Sequence, residues 1–197
     1  MWIIKKSSIN VNKQKHNTAF VYLKKEVIKM KVIFLDIDGV LNCDTSKSYC
    51  HDDTYGVITG IDSDKVKRLA KIVEETKAQI ILSSDWKIGW NKHYVGRKPS
   101  HVKYLDNHLY KKGKLIIKDK TPDINKGWSR GEEILSYLKT HSDIDNYVIL
   151  DDTFFDDFII KEIEEHLVLI DYKVGLTDEN VQLAIKILKG ELNERPR

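Results

Sequence analysis

Residues 31–42 read Lys-Val-Ile-Phe-Leu-Asp-Ile-Asp-Gly-Val-Leu-Asn (KVIFLDIDGVLN), and the reading of this stretch decides the fold. Lys31 to Leu35 is apolar and β-branched without alternation, the pattern of a strand buried on both faces of a parallel sheet. Asp36 and Asp38 follow it one residue apart, with Gly39 directly behind. A strand interior does not tolerate two carboxylates, because burying unpaired charge is costly. A plain turn has no need of both. The stretch therefore reads as a strand that delivers acids to its own carboxyl end.

The rest of the chain repeats the theme. Gln79–Leu82, Tyr147–Leu150 and Leu167–Ile170 are further apolar runs of strand length. Between them lie helical patterns. Val66, Leu69, Ala70 and Val73 share one helical face, with Asp62 or Ser63 as the cap. Ser129-Arg130-Gly131-Glu132 has the spacing of a capping box, and Ile134, Leu135 and Leu138 continue as a face. Val181–Leu188 closes the chain as a helix. Strands alternating with helices predict an α/β fold with a parallel sheet and right-handed crossovers.

At 197 residues and 41% hydrophobic content, the chain can bury one good core. Residues 1–29 read as a flexible basic leader, with Met30 a candidate start. Residues 30–190 form the domain, and 191–197 a tail. No apolar run reaches membrane-spanning length, and no secretory signal precedes the first strand. The two cysteines, Cys43 and Cys50, make no disulfide framework and read as free thiols of a cytoplasmic protein. No obligate protein partner is evident.

A formal net charge of +3 hides a segregation of charge. Residues 87–130 hold 12 Lys/Arg against 3 Asp/Glu, while the body of the chain is acidic. Trp90, Tyr94, Tyr104, Tyr110 and Trp128 lie within that basic segment, and Trp86 just before it. Such interleaving suits phosphates and bases, although a charge run is as often a solvated face.

Three strand ends carry polar groups: Asp36 with Asp38, Ser83 with Ser84, and Asp151 with Asp152. In an open parallel sheet the carboxyl ends of the strands line the ligand crevice. Four carboxylates gathered there repel one another unless a divalent cation neutralises them, and an all-oxygen set favours Mg²⁺.

These motifs, in this order, resemble those of the haloacid dehalogenase (HAD) superfamily. Asp36-Ile-Asp38-Gly-Val40 is similar to its first motif, Ser83 to its second, Arg130 to its basic third and Asp151-Asp152 to its acidic fourth. Lys126 is an alternative to Arg130. More narrowly, FLDIDGVLN, ILSSDWK, SRGEEI, VILDD and VGLT resemble the HAD domain of Swiss Army Knife RNA repair proteins. Where that pattern has Ser-Ser-Ser-Trp-Arg, this chain has Ser83-Ser84-Asp85-Trp86-Lys87, and lysine lacks arginine's bidentate fork.

The resemblance implies a Rossmann-like three-layer sandwich around a central parallel sheet, with a small or absent cap. The twenty or so residues between Asn42 and Asp62 are too few for a helical cap. It implies a Mg²⁺-dependent phosphatase in which Asp36 is the nucleophile and Asp38 the proton shuttle. Asp36, Asp152 and the Asp38 backbone carbonyl would hold the cation, and Asp151 a water on it. Ser83 and Arg130 would stabilise the transferring group, with Gly39, Ser84 and Lys87 at the substrate phosphate. A phosphorylated substrate, with RNA or DNA ends favoured by the basic segment at 87–128, is the expected partner. A small-molecule phosphatase such as a nucleotidase and a non-catalytic nucleic-acid-binding module are the alternatives. His51, His93 and His101 are candidate extra acids, and Asp156 and Asp157 read as solvated.

Overall fold

The computed structural model describes residues 29–124, 129–160 and 163–191. The expected leader, apart from Lys29, lies outside these residues, as do Lys126, Trp128 and the expected tail beyond Glu191.

The central sheet has five parallel strands in the order β5-β4-β1-β6-β7: β1 Met30–Leu35, β4 Gln79–Leu82, β5 Ile117–Lys120, β6 Ile144–Asp151 and β7 Leu167–Leu169. Between β1 and β4 lie a two-stranded antiparallel hairpin, β2 Tyr49–Asp52 with β3 Gly56–Thr59, and helix α1 Ser63–Thr76. Helices α2 Ser100–Gly113, α3 Arg130–Thr140, α4 Asp156–Ile160 and α5 Asp178–Lys189 complete the chain. The expected Rossmann-like sandwich is the fold observed.

Alternation along β1 explains the layers. Ile33 and Leu35 face one cluster with Leu69, Ile72, Leu105, Leu109 and Ile185, so α1, α2 and α5 cover that side. Val32 and Phe34 face the other, with Ile134, Tyr137 and Phe158 from α3 and α4. Both faces of β1 are dry, which is why its sequence shows no alternation. Phe34 meets Tyr137 and Tyr147 edge-on at 5.8 and 5.7 Å.

The basic segment is described as far as residue 124. Part of it is structural: α2 contributes Val102, Leu105 and Leu109 to the main core, and β5 extends the sheet beside β4. As an edge strand with the sequence Ile-Lys-Asp-Lys, β5 is polar enough to escape an apolar reading. The capping box expected at Ser129 is absent, since the Ser129 side chain makes no cap hydrogen bond. Instead the Asp157 carboxylate accepts from the Glu132 N–H at 3.0 Å, so a residue of α4 caps α3. Asp157 is half-buried in this role and is not the solvated residue expected. A reciprocal box does form two helices later, between Thr177 and Asn180 at the start of α5.

Candidate active site

Strand register brings the motifs together. Leu35 of β1 is level with Leu82 of β4 and Leu150 of β6, so Asp36, Ser83 and Asp151 emerge side by side. The ladder continues past the strand ends, with Asp36 N–H donating to Leu150 O at 2.9 Å and Ser83 N–H to Leu35 O at 2.8 Å. From β1 the chain builds outward through β4 to β5, then crosses to β6 and β7 on the other side. The switch point lies between β1 and β6, where the strand-end acids stand.

Asp36, Asp151 and Asp152 place one carboxylate oxygen each within 4.8 Å of one another. Asp36 and Asp151 are buried, at 6% and 2% exposure. Burial raises the Asp36 carboxyl well above the carboxylate range, and Asp151 pushes it further, while Arg130 and a hydrogen bond from Ser84 oppose the rise. Burial likewise lifts Asp151 to about 6, against the pull of Arg130 and the Thr153 backbone N–H. Asp152 is raised chiefly by burial. These three acids could hold a metal ion, and an all-oxygen donor set is of the kind that suits Mg²⁺.

Arg130 opens α3 and reaches across the crevice. Its Nη1 lies 3.3 Å from Asp36 Oδ1, its Nε lies 3.8 Å from Asp151 Oδ2, and its guanidinium sits over the Phe155 ring at 5.3 Å. Arg130 thus stands among the acids, while its alternative Lys126 lies outside the described residues. Ser83 is buried, and its Oγ has no hydrogen-bond partner. An orphaned buried hydroxyl beside the acids is an observation in favour of an absent oxygen ligand. Its neighbour Ser84 is buried, its Oγ accepts the Trp86 N–H at 3.4 Å, and it helps hold the Asp36 carboxyl down.

Gly39 fills its place for a steric reason. Its φ is +72°, and a Cβ built there would lie 2.2 Å from Asp152 Oδ2. The turn after β1 must pass this close for Asp152 to join the cluster. Asp38 stands exposed at the mouth and outside the cation cluster.

Lys87 differs from expectation. Its Nζ is buried and turned into the fold, donating to Glu133 of α3, to Thr121 Oγ1 at 3.2 Å and to Pro122 O at 3.3 Å. A buried ammonium needs a counter-charge, and Glu133 supplies it. The pair ties the loop after β4 to the helix that carries Arg130.

Three contributors were given no place in the site by the sequence reading. Thr153 donates its N–H to Asp151 Oδ1 at 3.0 Å and its hydroxyl to Asp152 Oδ1 at 3.1 Å, orienting both acids. Trp86 and Asn42 bind the Asp38 carboxylate from two sides. Only the Thr153 signal was local, a hydroxyl directly after the acidic pair. Of the histidines, His101 is paired with Asp52 at 2.7 Å, and His51 lies 4.0 Å from Asp53. His93 is exposed.

A Rossmann-like sandwich with acids at the ends of its two central strands, a free buried hydroxyl on the third and an arginine from the facing helix defines a HAD-type domain. The family model for the HAD domain in Swiss Army Knife RNA repair proteins matches residues 32–181, and the chain belongs to that family. No curated protein and no solved structure matches it. No helix among the described residues is long and apolar enough to cross a membrane.

Proposed function

We propose that the chain is a Mg²⁺-dependent phosphohydrolase that works through an aspartyl-phosphate on Asp36 and takes phosphates at nucleic-acid ends as substrate. The observation that carries this reading is the convergence of Asp36, Asp151 and Asp152 within 4.8 Å, with Arg130 at 3.3 Å from Asp36.

Asp36, Asp151, Asp152 and the Asp38 backbone carbonyl would hold the cation. When bound, Mg²⁺ neutralises charge so that one anion can approach another. An oxygen of Asp36 attacks phosphorus, forming a new O–P bond as the ester O–P bond breaks. Asp38, exposed at the mouth, hands its proton to the departing alkoxide. It then takes a proton from the water that attacks the aspartyl-phosphate, and Asp36 is released as a carboxylate with inorganic phosphate leaving. Arg130 and the free Ser83 hydroxyl bind the equatorial oxygens where charge builds. Ser84 and Thr153 hold the acids in place.

Two features support a nucleic-acid end. The segment between Asn42 and Asp62 is a short hairpin rather than a helical cap, which favours an open rim. Beside β5, a cavity of about 400 Å³ presents Lys92, Lys118, Trp90 and Tyr110 alongside the Lys98–Asp106 pair and the aliphatic Leu109, Leu115, Ile116 and Ile117. Basic and aromatic groups that could meet a strand thus share it with apolar ones. The test is turnover with Mg²⁺ on a panel of nucleotides, sugar phosphates and end-phosphorylated RNA and DNA, with Asp36→Asn as control. Preference for the oligonucleotides and a silent variant are expected. Undiminished turnover by Asp36→Asn removes the mechanism, and equal rates on mononucleotide and oligonucleotide remove the substrate assignment.

A further inference from the structure

Asp38 is the one carboxylate in the proposed chemistry that the fold leaves exposed, and an exposed acid on a turn ordinarily samples several rotamers. This one is clamped. Its Oδ2 accepts the indole N–H of Trp86 at 2.9 Å, and its Oδ1 accepts from Asn42 Nδ2 at 2.8 Å. Asn42 is itself fixed, because its Oδ1 accepts the Gly39 N–H at 2.9 Å. Each carboxylate oxygen thus has one donor and keeps a second lone pair for a proton in transit.

Trp86 is equally well held. It is buried, in a single 3₁₀ turn of Asp85–Lys87 that starts with Ser84 Oγ accepting the Trp86 N–H. Its ring meets His101 edge-on at 6.1 Å and Tyr104 at 6.4 Å. His101 Nε2 hydrogen-bonds the Ile88 carbonyl at 3.0 Å, and the Asp52 carboxylate of β2 packs 2.7 Å from Nδ1. A line of packed side chains therefore runs from the hairpin through His101 and Trp86 to Asp38.

We infer that Trp86 is a positioning residue: its indole N–H holds the Asp38 carboxylate in the orientation that serves the leaving oxygen, and the hairpin holds Trp86 through Asp52 and His101. The inference rests on the phosphohydrolase reading above. Indole donates and cannot accept, so Trp86 takes no part in proton transfer itself. Its effect must appear only where the departing oxygen needs a proton, which makes it separable from simple support of the fold.

Trp86→Phe keeps the buried ring and deletes the donor. With Mg²⁺ present, kcat is compared on an aryl phosphate with a stable leaving group, p-nitrophenyl phosphate, and on an alkyl phosphate with a poor one. A hydrogen bond to a charged group is commonly worth about 10- to 100-fold. The alkyl ester should therefore lose about 10- to 100-fold more rate than the aryl ester, with KM changed by about twofold or less. Equal loss on both esters means that Trp86 only supports the fold and overturns the inference. A second measurement reads the clamp without turnover. The Trp86 indole resonance in a ¹H–¹⁵N spectrum, identified by its absence in Trp86→Phe, should move in Asp38→Ala, and an unmoved resonance also overturns the inference. If the wild type turns over neither these esters nor an end-phosphorylated oligonucleotide, the phosphohydrolase reading falls and the positioning role with it. Turnover with equal losses removes the positioning role alone.

Discussion

Asp151→Asn should stabilise the cation-free protein while abolishing hydrolysis. Burial lifts the Asp151 carboxyl from 3.8 to about 6, so the folded state holds this proton more tightly than the unfolded chain does. The resulting cost is absent below about pH 3.8, grows as pH rises towards 6 and is complete above it. At 1.36 kcal/mol per tenfold difference in proton affinity, the interval corresponds to about 3 kcal/mol. Asparagine preserves the shape and the acceptor for the Thr153 N–H, and the lost attraction to Arg130 is already counted in the net rise; imperfect packing of the amide trims the gain. A net gain of about 1–3 kcal/mol remains, and in a chain of this size each kcal/mol moves Tm by about 2–4 °C. Scanning calorimetry in chelator at pH 7.5 should therefore show the variant melting about 3–10 °C above the wild type. At pH 5 the difference should shrink, because the wild-type acid is then largely protonated. Mg²⁺ should raise the wild-type Tm at pH 7.5 and the variant's much less. A variant that melts below the wild type at pH 7.5, or a gap that ignores pH, would refute the repulsive-cluster account.

Gly39→Ala places a Cβ 2.2 Å from Asp152 Oδ2 at a φ of +72°. It should cost about 1–3 kcal/mol in chemical denaturation and weaken the Mg²⁺-induced rise in Tm. Lys87→Met leaves Glu133 buried without its counter-charge and should cost about 3–5 kcal/mol, with much of the loss recovered when Glu133→Leu is added. Urea midpoints of the single and double variants decide this, and a double variant no better than the single contradicts it. Replacing Lys92 and Lys118 together by Gln should lower the salt slope of oligonucleotide binding, by about 0.7 for each single-strand phosphate that is no longer neutralised. An unchanged slope in a fluorescence-anisotropy titration would take the cavity beside β5 out of the binding path.

Residues that act through their own strand were readable one segment at a time. Lys31 to Leu35 shows an unalternating apolar run because both its faces are covered, and Asp36 follows because the strand ends there. The same logic marked Ser83 and Asp151, and parallel pairing then made their convergence a consequence of register. Arg130 was visible as a basic residue at a helix start, although the cap expected with it was not the one used. The edge strand β5 stayed hidden, because a strand with one open edge is free to carry lysines.

The sequence by itself determined four of the five sheet strands, their polar ends and the acids upon them, since each is written in a continuous stretch with its own pattern. Tertiary structure alone decided which partner each polar side chain received. Lys87 went to Glu133, 46 residues away, Asp157 to the start of α3, and Trp86 to Asp38 across 48 residues. Those choices follow from burial: a charge or donor removed from water must find a complement, and which one is within reach is set by how distant segments pack.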